Sequence, residues 1–213
     1  LAEAVRDADG NASRHLNPKL LQLIAATGLD RRWMRGEGAW IEDDRGHRFI
    51  DCIGGFAVHS LGRRHPAVVS ALHAALDSGH PGWVRFEANG LAALLAKRLA
   101  ARMPADLPFA FFTNSGTEAV ECALKLARRF TGRSAVLGCD RGFHGMTLGA
   151  LAANGNAELR AGFGELGPAE IVPFNDLPAL EAALSTRRFA AFLVEPVQGK
   201  TCMAADPGYL AEA

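Results

Sequence analysis

The residues that could do chemistry in this 213-residue chain lie at three places, each directly after an apolar segment. Ser115-Gly116-Thr117 stands between a short apolar run and an amphipathic helix. Backbone N–H groups and hydroxyls at such a helix start can bind a phosphate, because the positive end of the helix dipole lies there. Phe143 follows the next predicted strand, and Glu195 ends a later one. An anion site, an aromatic ring and a carboxylate at successive strand ends indicate a phosphorylated aromatic cofactor.

Each of these residues also has a plain structural interpretation. Serine is a preferred helix N-cap, so Ser115 could simply cap the helix, although a cap and a phosphate site can use the same atoms. A phenylalanine after a strand, such as Phe143, is most often part of the core. His144, beside it, is more often a hydrogen-bonded structural residue than a general base. Glu195 follows apolar residues, and a buried carboxylate needs a partner.

The elements that must position these residues alternate along the chain. Apolar runs predict buried strands at 109–113, 135–139, 171–174 and 190–195. Helical periodicity predicts helices at 18–27, 66–77, 90–103, 116–130 and 176–185, and residues 39–41 and 48–50 flank a predicted hairpin turn. Such alternation predicts an α/β fold, with a mixed, mostly parallel sheet covered by helices on both faces. Ligands of such sheets gather at the carboxyl ends of the strands.

Composition narrows the classes of function. Lys and Arg number 23 and Asp and Glu also number 23, without a basic stripe, which predicts no nucleic-acid partner. The apolar runs are too short to span a bilayer, so no membrane association is expected. Four cysteines without a CxxC pair favour reduced thiols and a cytoplasmic location. Gly199-Lys200-Thr201 lacks the earlier glycine of a P-loop, and no cluster of metal ligands is visible, so neither a nucleotide nor a metal is expected.

Several blocks of the sequence, in order, resemble the class III (ω-amino-type) aminotransferases, which bind pyridoxal 5′-phosphate on the type I transferase fold. These blocks are residues 36–41, 43–51, 61–66, 114–129 (NSGTEAVECALKLARR), 142–149 and 194–199. The resemblance implies that Phe143 lies flat on the pyridine ring of the cofactor. The cofactor-binding residues that it implies are Ser115, Gly116, Thr117, Phe143, His144, Glu195 and Gln198. It also implies that Trp40 and Phe56 line the substrate pocket, with hydrophobic packing as an equal alternative.

The resemblance also implies a division of the chain. Residues 1–61 would contribute to a small domain, and residues 62–213 would begin the large cofactor-binding domain. No catalytic residue is expected within the chain, because the Schiff-base lysine and the aspartate that pairs with the pyridinium nitrogen would lie beyond Ala213. None of the four lysines matches the family's catalytic lysine: Lys19, Lys97, Lys125 and Lys200. We therefore expect an N-terminal half that is inactive alone.

The implied activity of the complete protein is the transfer of an amino group from an amine or amino acid to a keto or aldehyde acceptor, in a homodimer or tetramer. Lys200 stands where relatives that act on α-carboxylates often carry glutamate, which leaves the substrate open. An aminomutase or decarboxylase on the same fold is one alternative. A catalytically inactive cofactor-binding or interaction half, paired with a second polypeptide, is another.

Overall fold

The computed structural model describes residues 8–28, 30–81, 89–104 and 107–213. Contacts within the chain divide it into two units, Leu1–Gly90 and Leu91–Ala213. The expected assignment of residues 1–61 and 62–213 to the small and large domains of the family stays a prediction.

The first unit combines helices with a small antiparallel sheet. Its strands are β1 (Trp33–Glu37), β2 (Trp40–Asp43) and β3 (Arg48–Ile50), hydrogen-bonded in that order. Its helices are α1 (Ala8–His15), α2 (Pro18–Ala26) and α3 (Pro66–Asp77). The predicted hairpin and the two predicted helices of this region are confirmed. Strand β1 was not predicted, because its sequence lacks the alternation of polar and apolar residues that marks a half-buried strand.

The hairpin of the first unit is organised around the carboxylate of Asp43, which is only 3% exposed. Its Oδ1 accepts hydrogen bonds from the N–H groups of Arg45 and His47 at 3.0 and 2.8 Å. Its Oδ2 lies 3.0 Å from Nδ1 of His47 and 3.1 Å from Nη1 of Arg31. Burial alone would raise the pKa of Asp43, but the bonds from His47 and Arg45 outweigh it and lower the pKa to about 2.

The second unit is built on a three-stranded parallel sheet. Its strands are β4 (Ala135–Cys139), β5 (Ala169–Val172) and β6 (Phe189–Leu193), with β4 between the other two. The helices from residue 90 onward are α4 (Gly90–Ala100), α5 (Gly116–Thr131), α6 (Leu148–Ala152), α7 (Ala157–Arg160), α8 (Leu177–Ser185) and α9 (Tyr209–Glu212). The parallel pairing of these strands confirms the predicted, mostly parallel sheet.

Alternate side chains of β4 enter two apolar clusters, one on each face of the sheet. Leu137, fully buried, packs with Leu180 of α8 and with Phe189 and Tyr209. Val136, 1% exposed, packs with Leu124 of α5 and with Ala153. Helices therefore cover both faces of β4, as a parallel strand that is apolar throughout requires.

The predicted strand at 109–113 is wrong. In the structure this segment has no strand partner among the described residues, and Phe109 is 94% exposed. An apolar run fits a buried strand, but a strand exists only where a neighbour accepts and donates its backbone hydrogen bonds.

Two bulk properties follow from the described residues. None of their helices is both long and apolar enough to cross a bilayer. The four cysteines are free thiols, with Cys139 buried in the core of the second unit. Burial raises the pKa of the Cys139 thiol, so this side chain is an apolar filler rather than a nucleophile.

Candidate functional site

Helix α5 begins with a hydrogen-bonded cap made by Ser115. Ser115 has an extended backbone, and its hydroxyl oxygen accepts from the N–H of Glu118 at 3.3 Å. The Glu118 carboxylate reaches back and accepts from the N–H of Asn114 at 2.7 Å. The structural interpretation of Ser115 as an N-cap is therefore confirmed, and it uses only the acceptor capacity of the hydroxyl.

The N–H groups of Gly116 and Thr117 are left open at this helix end. Neither donates a hydrogen bond to any residue in the part of the chain that the structure describes. A Cβ built on Gly116 would meet no atom within 4 Å. Packing among the described residues therefore does not require glycine at position 116, and the free space beside it can hold an anion.

Phe143 lies on the loop that follows β4, here called the aromatic turn (residues 142–147). Its ring is 42% exposed, so it is not a core side chain. The N–H of Phe143 donates to Oε2 of Glu195 at 2.8 Å, and Oε1 of Glu195 accepts from the N–H of Gly199 at 3.0 Å. The predicted need of Glu195 for partners is met by two backbone N–H groups, although the residue is half-buried rather than deeply buried.

Helix α5 and the aromatic turn contact each other directly. Oγ1 of Thr117 lies 2.7 Å from Oγ1 of Thr147, whose N–H also donates to Thr117 at 3.3 Å. One helical turn further, Oε1 of Glu121 accepts from the N–H groups of Gly149 and Ala150 at 2.8 and 3.1 Å. The pKa of Glu121 lies below its ordinary 4.5. The hydrogen bond with the Thr147 hydroxyl lowers this pKa most, and burial opposes the effect. The Thr117 hydroxyl is therefore committed to the turn.

Gly145 makes this close approach possible. Its φ is +132°, a conformation that side chains disfavour, and a Cβ at this position would overlap the side chain of Thr117. The Phe-His-Gly block thus carries its glycine where the turn meets the helix.

His144 and Gln198 lie in the same region but in different environments. Nε2 of His144 is buried without a hydrogen-bond partner among the described residues. Burial lowers the pKa of the His144 imidazole, and the nearby Glu195 carboxylate only partly offsets this. The Gln198 side chain is fully buried, where it donates to the carbonyl of Asp140 and accepts from the hydroxyl of Thr201, both at 2.8 Å.

The structure thus brings together the predicted residues of three sequence blocks in the second unit. Trp40 and Phe56 belong to the first unit, so their part in a substrate pocket stays a prediction. Sequence reasoning missed three contacts around the aromatic turn: Thr147 bonds Thr117, Glu121 accepts from Gly149 and Ala150 just after the turn, and Asn154 bonds His144 and Gly145 within it. The only signal for Asn154 was the Asn-Gly pair that it forms with Gly155, typical of a turn.

Known proteins share this chain's sequence and fold. The model of the class-III aminotransferase family matches residues 25–213. The acetylornithine aminotransferase of Methanopyrus kandleri is 44% identical over 180 residues, which cover 83% of this chain and 46% of that protein.

Two solved structures extend this similarity to the fold. The (S)-enantioselective ω-transaminase of Thermomicrobium roseum has a TM-score of 0.83 at 26% identity, covering 99% of this chain and 53% of that one. The ornithine aminotransferase of Toxoplasma gondii has a TM-score of 0.73 at 29% identity, covering 84% of this chain and 44% of that one. The chain spans about half the length of the relatives that it matches. With the predicted α/β architecture of fold type I confirmed, the chain belongs to the class-III aminotransferase family.

Proposed function

We propose that this chain supplies the cofactor-binding part of a pyridoxal-phosphate-dependent aminotransferase. The complete protein, as we propose it, moves an amino group from an amine or amino acid to a keto or aldehyde acceptor. One observation carries the proposal. Residues 30 and 52 positions apart converge, because Thr147 of the aromatic turn bonds Thr117 at 2.7 Å and Glu195 bonds the Phe143 N–H at 2.8 Å. The start of helix α5, an exposed aromatic ring and a carboxylate therefore share one site.

The start of α5 fits the phosphate group of the cofactor. The unpaired N–H groups of Gly116 and Thr117 and the helix dipole attract an anion, and the space beside Gly116 admits it. The Ser115 hydroxyl accepts from Glu118 and keeps its own proton for a phosphate oxygen. Thr117 contributes through its N–H alone, since its hydroxyl bonds Thr147.

Phe143 fits the pyridine ring of the cofactor. Its half-exposed face offers a stacking surface, and its backbone is held by Glu195. Glu195 and Gln198 act through this loop rather than by reaching the ring. Both oxygens of Glu195 accept backbone N–H groups, and Gln198 ties the following loop to Asp140 at the end of β4.

His144 supplies a neutral polar group beside the ring. Its buried Nε2 has no partner in the described part of the chain, and a bound cofactor would end that deficit. Burial lowers the pKa of His144 and so favours the neutral form of its imidazole.

Pyridoxal phosphate, when bound, supplies the electron sink for breaking bonds at the amine carbon. The chain's own residues bind its phosphate, fix its ring plane and limit the access of water to one face. The family also uses a Schiff-base lysine and an aspartate that pairs with the ring nitrogen. No residue of this chain is proposed for either role.

We propose a substrate role for two aromatic residues of the first unit, Phe56 and Trp40. The Phe56 ring is fully open, and its φ of 55° is one that bulky residues rarely adopt. Six other described non-glycine residues also have a positive φ, so it is the exposure of the ring that supports a substrate role for Phe56. Trp40 presents its ring to the guanidinium of Arg48 at 4.8 Å, so it can offer only its other face and its edge to a substrate.

We further propose a cytoplasmic homodimer, or a dimer of dimers. The free state of all four cysteines supports a reducing compartment. Against the part of the chain that the structure describes, helix α2 buries none of its residues, and its apolar Leu20 and Leu23 are exposed. This helix is the proposed contributor to the subunit contact. Light scattering that gives a monomer with full activity would contradict the assembly.

The test of the cofactor site is a matched pair of glycine substitutions in the complete protein. Gly116→Ala adds a methyl group that meets no atom of the described residues, so we expect it to occupy the proposed anion space without lowering the thermal unfolding temperature. We expect its affinity for pyridoxal phosphate, titrated by absorbance, to fall about tenfold or more. Gly90→Ala is the control, since Gly90 also begins a helix and its Cβ would also meet no atom. Equal affinities for both variants and the parent protein would contradict the site.

A further inference from the structure

Asn154 is a buried polar residue that the proposed function does not yet use. It follows helix α6 and is 0% exposed. A buried amide that lost its hydrogen bonds would be costly, so the partners of Asn154 indicate what it does.

Both ends of the Asn154 side chain bond the aromatic turn. Its Oδ1 accepts from the N–H of His144 at 2.7 Å, and its Nδ2 donates to the carbonyl of Gly145 at 2.8 Å. One partner is a donor and the other an acceptor, so only this orientation of the amide satisfies both. No other residue type of this shape offers one acceptor and one donor.

Asn154 completes a set of restraints on four consecutive residues of the aromatic turn. The carbonyl of Gly142 accepts from the N–H of Gly155 at 2.9 Å, and the N–H of Phe143 is held by Glu195. Asn154 holds the next two residues. The Phe143 ring itself is half-exposed, so packing alone does not fix its orientation. The backbone on either side of it must do so.

We propose that Asn154 is a positioning residue that sets the plane of the Phe143 ring for stacking on the cofactor, an inference that rests on the proposed function. It touches neither cofactor nor substrate. It acts by locking His144 and Gly145, which removes the backbone rotations that would tilt Phe143. Pre-ordering of the ring lowers the entropy cost of binding the cofactor.

The first arm of the test needs no cofactor. Asn154→Asp keeps the acceptor for His144 but sets a second acceptor against the Gly145 carbonyl, and Asn154→Leu removes both bonds. We expect amide hydrogen exchange in a peptide spanning 142–147 to be faster in Asn154→Leu than in the parent protein. Asn156→Asp is the matched control, because the one side-chain bond of Asn156 among the described residues is accepted from the N–H of Glu158 at 2.9 Å, and aspartate can accept it too. Unchanged exchange in Asn154→Leu would overturn the inference.

The second arm asks whether Asn154 acts through Phe143. Asn154→Asp is expected to lower the affinity of the complete protein for pyridoxal phosphate about tenfold, the size of one lost hydrogen bond. In a Phe143→Ala background the same substitution should have little further effect. At saturating cofactor, the induced circular dichroism per bound cofactor should be weaker in Asn154→Asp, because the ring is less firmly oriented. The affinity for inorganic phosphate should not change.

The outcomes separate this inference from the proposed function. A parent protein that does not bind pyridoxal phosphate overturns both. A parent that binds it, with equal losses from Asn154→Asp in the presence and absence of the Phe143 ring, overturns only the positioning role. An unchanged dichroism signal at saturation does the same, since a purely structural residue would lower stability without altering the orientation of a bound ring.

Discussion

The two units of the chain are built around different kinds of interior. In the second unit, β4 buries Val136 and Leu137 between helices on both faces of a parallel sheet. In the first unit, the buried residue of the hairpin is the carboxylate of Asp43, and the apolar side chains of Trp33 and Ile50 remain exposed. Apolar burial does not depend on pH, whereas a hydrogen-bonded carboxylate does. The comparison shows that apolar burial stabilises the strands of the second unit, whereas a buried, hydrogen-bonded carboxylate stabilises the hairpin of the first.

The largest effect should come from breaking the apolar frame. Leu137→Ala removes a fully buried side chain from the centre of the sheet and should lower the free energy of unfolding by about 2–5 kcal/mol. Leu126→Ala is the control, because Leu126 lies on α5 but is 61% exposed, and we expect a change within about 0.5 kcal/mol. Chemical denaturation measures both. Similar losses for the two leucines would show that the frame is not centred on β4.

A smaller effect should appear in the first unit when the pH falls. The pKa of Asp43 is about 2 in the folded chain against an ordinary 3.8, so its stabilisation is complete above pH 3.8. As protons bind the folded form less readily than the unfolded form, this stabilisation is lost between about pH 3.8 and 2. Amide protection of residues 31–50, corrected for intrinsic exchange, should fall over this range.

Asp43→Asn tests the origin of that pH response. The variant should be less protected at neutral pH and should lose the response to acid, because the amide cannot be deprotonated. Asp44→Asn, at the exposed neighbouring position, should keep both the amide protection at neutral pH and its loss in acid. If the protection of Asp43→Asn still falls in acid, another titrating group causes the response, and the contrast between the units is weakened.

The smallest effect should come from the exposed face of the hairpin. Arg48 lies over the Trp40 ring at 4.8 Å, and such contacts at exposed sites contribute about 0.5–1 kcal/mol. Arg48→Met should therefore destabilise the hairpin by about that amount in chemical denaturation. Arg35→Met serves as the reference, because Arg35 is also exposed but lies on β1, which does not pair with β3. If Arg48→Met were as damaging as Leu137→Ala, the hairpin would not be the weaker part.

Local signals in the sequence predicted the frame well. Helix α5 was predicted within one residue, because Ser115 and Gly132 mark its two ends. The strand at 109–113 was predicted wrongly, since hydrophobicity identifies a segment that should be covered but not what pairs with it. β1 was missed because Met34, Arg35 and Gly36 do not alternate between apolar and polar residues.

The residues of the candidate site were predictable from the sequence, but the hydrogen bonds between them were not. The resemblance of short blocks identified Phe143 and Glu195. No local pattern shows that the Glu195 carboxylate would accept a hydrogen bond from the Phe143 N–H. Thr117 looked like a phosphate ligand through its hydroxyl, and only the fold brings Thr147 within 2.7 Å of it. Asn154 escaped notice for the same reason, since its partners lie nine and ten residues earlier along the chain.

The most direct test of the central claim is a crystal structure of the complete protein with pyridoxal phosphate. We predict that phosphate oxygens accept hydrogen bonds from the N–H groups of Gly116 and Thr117 and from the Ser115 hydroxyl. We also predict that the pyridine ring stacks on Phe143, with Glu195 still bonded to the Phe143 N–H. A cofactor that binds elsewhere, or a phosphate at α5 with the ring away from Phe143, would contradict the claim that these three blocks form one cofactor site.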